Sequence, residues 1–212
     1  MTTILRVGQW EVARRILANA PTRVRAAIAN AVAQEAQYLR GEIVKGLRTQ
    51  SPGGKKFEPL AASTLEVRRF RNFAGTKALI VRGDLRNSIT VQRRSDGGAF
   101  VGVLRQARGR DGQPLANVAD LNEFGSRPIV TVITPRMRRF LAIALGDSVS
   151  QGGGGGGQQT GIIVHRIPAR PFIRPVVDVL YGNADVTRRR FLTRVGALLG
   201  GDFGRMGGTV PR

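Results

Sequence analysis

The chain contains no cysteine, so neither a disulfide framework nor a thiolate-bound metal can be built, and a reducing cytoplasm is permitted. It has a single histidine, His165, set in a strand-like stretch, which leaves a Ser-His-Asp arrangement almost no freedom. Acidic residues are scarce. The one close carboxylate pair, Asp120 with Glu123, lies three residues apart and so on one side of any helix. That spacing suits a metal, and equally a solvated face beside Arg127, but a two-metal nuclease site needs more acidic ligands. Aromatic residues are 6% of the chain, too few for a platform on which bases stack. No long apolar run is present: the opening MTTILRVGQWEVARR holds none that would serve as a signal peptide, and Phe140 to Leu145 is far too short to span a bilayer. A soluble protein with no membrane partner, not exported by a signal peptide, is expected. The six glycines from Gly152 to Gly157 are followed by Gln158, Gln159 and Thr160, not by the lysine and hydroxyl of a phosphate loop. There is no Gly-x-Ser-x-Gly elbow. Together these absences disfavour an enzyme and leave no candidate catalytic residue, metal ligand or cofactor.

What is abundant is positive charge. Thirty-four Lys and Arg face 14 Asp and Glu, for a formal net charge of +20. Only Lys45, Lys55, Lys56 and Lys77 are lysines; the other cations are arginines, suited to bidentate contacts with phosphate or carboxylate and to packing at interfaces. GC-rich coding explains the same bias. A polyanionic or acidic partner is expected, since isolated copies repel one another.

In 212 residues one sizeable core is affordable. A short amphipathic segment with Trp10, Ala13 and Leu17 on one face ends at Asn19-Ala20-Pro21. A long helix capped by Thr22 follows, with Val24, Ile28, Ala31, Leu39, Ile43 and Leu47 on one stripe that only Glu35 interrupts. Ser51-Pro52-Gly53-Gly54 stops it, and a short helix begins near Ser63 or Thr64. From Leu79 a β-branched alternation runs through Gly83-Asp84-Leu85 to Val91, breaks at Ser95-Asp96-Gly97-Gly98 and resumes at Ala99 to Leu104, which predicts a β-hairpin. After a polar loop, Gln106 to Pro114, come a helix from Val118 to Phe124 ended by Gly125, a strand from Ile129 to Ile133, and an apolar segment, Phe140 to Leu145, too short to show a period. Beyond the glycine run lie a strand from Ile162 to Ile167 and a C-terminal helix carrying Val176, Val179, Leu180, Phe191, Leu192, Val195 and Leu199. No internal repeat is visible. The expected fold is α+β, an antiparallel sheet with a long N-terminal and a C-terminal helix packed against it. Residues 1–21 form an arm, 22–200 a single domain with a flexible Gly-rich loop at 151–161, and 201–212 a tail.

Four segments, in this order, form a recognisable pattern: SPGGKKFEPLAASTL at Ser51 to Leu65, LIVRGDLRNSITV at Leu79 to Val91, ADLNEFGS at Ala119 to Ser126 and IPARPFIRP at Ile167 to Pro175. Each is weak alone, and none is catalytic. Together they resemble the phage virion morphogenesis and tail-completion family, over roughly Thr22 to Leu199. The resemblance implies a virion subunit, made in the host cytoplasm, that forms a six- or twelve-fold homo-oligomeric ring at the head-tail junction, as a tail-completion, neck or tail-terminator protein. Its implied partners are head-tail connector and tail-tube proteins, with nonspecific contact to DNA passing through the channel. The motif residues are Gly83, Asp84, Leu85, Ser88, Ile89, Glu123, Phe124, Gly125, Pro168, Arg170, Pro171 and Phe172. Gly83 is read as a turn, Leu85 and Ile89 as hairpin anchors, the two prolines as a stiff corner, Phe172 as core and Arg170 as a partner for Glu123. Arg188, Arg189, Arg190 and Arg194 are candidates for facing DNA or a partner. The alternative is a basic nucleic-acid-binding protein, argued from charge alone, although the cations are spread along the chain and no helix-turn-helix is present.

Overall fold

The structure is a computed structural model that describes residues 10–73, 75–145 and 161–206. It is an α+β fold. In order the elements are α1 (Trp10–Thr49), a 3-10 turn (Pro52–Gly54), α2 (Ala62–Phe70), α3 (Asp84–Ser88), β1 (Ile89–Arg93), β2 (Ala99–Val103), α4 (Leu115–Phe124), β3 (Ile129–Val132), α5 (Pro135–Leu145), β4 (Ile162–His165), α6 (Arg174–Tyr181) and α7 (Ala184–Met206). The strands form two separate two-stranded sheets, β1 with β2 and β3 with β4. The Gly-rich loop expected at 151–161 lies outside the described residues except for Gly161.

Several elements differ from the sequence expectation, each for a local reason. Pro21 does not end a first segment: it sits inside α1. A proline removes one backbone donor and one helical bond, and the flanks here, rich in Ala and Arg, have enough helix propensity to carry the chain through. Gly83-Asp84-Leu85 is not strand. Gly83 adopts φ +84°, and α3 starts directly after it, so the hairpin begins only at Ile89. The apolar segment Phe140 to Leu145 is the second half of α5. The single C-terminal helix is two helices, because Asn183 restarts the chain: its Oδ1 accepts the Val186 N–H at 3.1 Å as a helix N-cap. The second of them, α7, runs past Gly200-Gly201 into the expected tail.

The backbone groups into two compact units. The larger comprises Leu39–Thr90 and Val101–Gly182. Its core is Ile43 and Leu47 of α1, Leu85, Ile89, Ala119 of α4, Phe172 and Val176 of α6, with Leu39, Phe57, Leu79, Val101 and Val103 packed around them. The C-terminal part of the α1 stripe is thus buried as its spacing predicts. The smaller unit comprises the chain up to Tyr38, the hairpin tip Val91–Phe100 and the chain from Asn183. There Ala27, Ala31, Ala33 and Ala36 are buried, while Val24 and Ile28 stay exposed.

Gly53 marks how tightly the larger unit is closed. It has φ +58°, and a Cβ built on it would collide with the Pro175 carbonyl at the start of α6. Gly41, by contrast, sits in α1 with open space beside its Cα. Gly53→Ala is therefore expected to lower stability by about 2 kcal/mol or more, and Gly41→Ala to raise it by about 0.5–1 kcal/mol. Urea unfolding midpoints with an unchanged slope would show both effects.

Candidate functional site

In the larger unit the third and fourth motif segments are sewn together backbone to backbone. α4 ends at Gly125, whose N–H donates to the Leu121 carbonyl at 2.9 Å. Glu123, two residues earlier, sends its carboxylate to the start of α6: Oε2 accepts the N–H groups of Phe172 (2.8 Å) and Ile173 (3.0 Å), and Oε1 accepts that of Arg174 (2.8 Å). These are the donors that a helix start leaves without intrahelical partners, and a carboxylate there also meets the positive end of the helix dipole. The Arg170 N–H donates to the Asn122 carbonyl at 2.6 Å, and the Ser126 N–H to the Ile167 carbonyl at 3.0 Å. The buried Ser126 hydroxyl accepts the Ile167 N–H at 2.8 Å, and Arg166 Nε reaches the Ser126 carbonyl at 3.0 Å.

The expected pair between Arg170 and Glu123 is not what the geometry contains. Both Glu123 oxygens serve the α6 backbone, and an Arg170 Nη donates to the Pro59 carbonyl at 3.4 Å, tying the fourth segment to the first. Arg170 Nε is buried without a hydrogen-bond partner. Phe172 is fully buried, in the core where the sequence puts it. Phe124 is 60% exposed, with the Arg174 guanidinium 5.1 Å from its ring centroid. Pro168 is exposed and Pro171 half-buried at the corner.

The first and second segments join the same assembly. Gln50, beside the Ser51 turn, donates through Nε2 to the carbonyls of Leu47 (2.7 Å) and Ala78 (3.1 Å) and accepts the Ala78 N–H at 2.5 Å. Leu85 and Ile89 enter the core beside Phe172. Arg40 Nε donates to the Ile89 carbonyl at 2.7 Å, and the Ser88 hydroxyl to the Leu85 carbonyl at 2.8 Å. Asp84 accepts the Arg110 N–H at 3.4 Å and faces the Arg110 guanidinium at 3.5 Å. Arg68 of α2 is buried, its guanidinium donating to the carbonyls of Gly75 (3.1 Å) and Lys77 (2.9 Å). Burial pulls its pKa below the usual arginine value. Between these parts lies a cleft of about 370 Å³ whose charged lining is Arg68, Arg71, Arg82, Arg170, Asp84 and Asp111. Arg82 is already paired with Asp111 at 2.8 Å.

In the smaller unit the four candidate arginines divide. Arg190 Nε and Nη donate to Glu35 at 3.0 and 2.5 Å, and Arg194 is paired with the other Glu35 oxygen. Both guanidinium groups also lie 5.3 Å from the Tyr38 ring centroid. Arg188 and Arg189 are exposed, Arg188 in a solvent-facing pair with Asp185 at 3.2 Å. Glu35, which interrupts the apolar stripe of α1, is the anchor that sequence reasoning passed over. The signal was there, a lone acid on a buried stripe in a chain so rich in arginine. His165 is exposed at the end of β4, opposite Ile129. Asp120 is exposed, and among the described residues no group of three or more His, Cys, Asp or Glu is placed to hold a metal.

No protein-family model, curated protein or solved structure matches the chain.

Glu123→Ala is expected to cost about 2–3 kcal/mol by stranding three backbone donors, and Glu123→Gln about half of that. At this chain length the alanine variant should melt roughly 4–12 °C lower. A Glu123→Arg, Arg170→Glu swap should recover nothing over Glu123→Arg. Glu35→Gln is expected to lower stability by about 1–3 kcal/mol, whereas Arg188→Ala and Arg189→Ala stay within about 0.5 kcal/mol of the parent. Equal losses at all four arginines in calorimetry would contradict the division between them.

Proposed function

We propose that the protein is a structural virion subunit of a tailed bacteriophage, forming a ring at the head-tail junction as a tail-completion, neck or tail-terminator component. The observation that carries this reading is the convergence of the four motif segments. Scattered over Ser51 to Pro175, they meet in one joint, held by Glu123 on the α6 backbone, by Gly53 against Pro175 and by a shared core. A resemblance borne by turns, caps and core positions speaks for a shared scaffold, and structural subunits are related through their scaffold. The net charge of +20 fits a ring whose copies sum their fields on a DNA channel or on acidic neighbours. Arg188 and Arg189, exposed on α7, are the candidates for such contacts.

The same charge favours a second reading, a nucleic-acid-binding protein. Light scattering with negative-stain imaging at low and moderate salt, with and without tail-tube protein, separates the two. Rings, or addition to the end of a tube, are the expected result. A monomer that ignores tubes and binds DNA with an affinity falling steeply and linearly on a log-log salt plot would transfer the assignment to the second reading.

A further inference from the structure

The β3–β4 ribbon has a face that nothing in the described chain covers. Its antiparallel register sets Val130 opposite Val164 and Val132 opposite Ile162. Side chains alternate along a strand, so these four β-branched residues share one side of the ribbon. They are 63%, 64%, 50% and 64% exposed, respectively. Two strands alone are marginally stable in water and gain from an apolar partner on one face. The connecting residues 146–160 offer little to cover it, since Val149 is their only large apolar side chain.

Charge narrows the occupant. Between Ser126 and Ile167 the sequence holds Arg127, Arg136, Arg138, Arg139 and Arg166, against Asp147 as the sole acid. Arg127 and Arg166 flank the strands and are exposed, as are Arg136 and Arg139 at the start of α5. A cationic rim around an aliphatic centre selects a partner with an apolar stripe bordered by carboxylates. A second copy is a poor match: Glu35, Glu42, Glu66, Asp84, Asp96, Asp111 and Asp185 are in ion pairs within the chain, Glu123 caps α6, and the other acids whose side chains are described, Glu58, Asp120 and Asp178, sit on three separate parts of the fold, a loop, α4 and α6. A face two strands wide and four residues long is on the order of 10 by 13 Å. It is the footprint of about two to three turns of one helix.

We infer that this face is a docking site for an acidic amphipathic helix of another protein, its apolar stripe on Val130, Val132, Ile162 and Val164 and its flanking carboxylates among the surrounding arginines. The site stands on the ribbon geometry and does not depend on the virion reading.

The test uses the full chain and a labelled synthetic helix with a leucine stripe flanked by glutamates, followed by fluorescence anisotropy. Saturable binding is expected, weakened at least tenfold in a Val130→Thr, Val164→Thr variant, which keeps the β-branched shape of the strands. Val186→Thr, at an exposed valine of α7, should bind as the parent does. A peptide with lysines replacing the glutamates should not bind. Amide exchange on the unsubstituted chain should show new protection within 129–132 and 162–165 when the acidic peptide is added, so the inference stays testable if the double variant fails to fold. It is overturned if the basic peptide binds equally well or if protection falls elsewhere. It is likewise overturned if the valine substitutions abolish self-association, or binding to anionic vesicles or duplex DNA, while leaving peptide binding intact.

Discussion

The start of α6 has no local cap. Ile173, its N-cap residue, makes no side-chain capping bond, and Pro175 lies in the first turn, where a missing N–H does no harm. Three backbone donors are instead served by one carboxylate 49 to 51 residues earlier. Because Glu123 is carried by α4, the position of α6 is set by α4, and with it the depth of Phe172 and Val176 in the core. Pro175 is placed by the same bonds, and its carbonyl then leaves no room for a side chain at residue 53.

Polar and apolar forces divide the work at this joint. Burying Phe172 is worth about 2–3 kcal/mol by transfer, but the hydrophobic effect is non-directional and does not dictate which turn of α6 faces the core. The carboxylate, the Ser126 hydroxyl and the Asn122 and Ile167 carbonyls supply that direction, since each accepts a particular N–H. Four sequence segments that look unrelated in composition are then one structural object: two caps, a close approach and a shared cluster of side chains.

Much of this fold was legible in the sequence because it is written in short-range signals. The Asp96-Gly97-Gly98 turn between alternating residues gives the hairpin, Gly125 ends α4, and the spacing of Leu39, Ile43 and Leu47 gives the buried face of α1. The misses share a cause, competition between local and non-local preferences. Pro21 reads as a stop, yet helix propensity on both sides outweighs one lost bond. Leu79 to Val91 reads as a β-branched alternation with a turn at Gly83, yet that glycine, in a left-handed conformation, leads into α3. The pairing of Glu123 was not legible, because opposite charge makes Arg170 the obvious partner while backbone donors carry no residue identity. The division of one sheet into two likewise depends on tertiary placement, to which strand periodicity is blind.

Arginine excess reads differently once its partners are known. Arg40, Arg68, Arg166 and Arg170 donate to backbone carbonyls, and Arg190 and Arg194 hold Glu35. A guanidinium has five donors in a rigid fork and is less strongly hydrated than an ammonium, so it can tie distant carbonyls together where lysine would lose more on burial. Part of the positive charge is therefore a by-product of how the fold is fastened, and net charge overstates what is left to attract a polyanion. The relevant quantity is the set of arginines that remain in solvent with no acid beside them. By that measure the exposed Arg127, Arg136 and Arg139 beside the β3–β4 ribbon are a more specific electrostatic feature than the total of +20, because they border an apolar face, and phosphate backbones have no use for one.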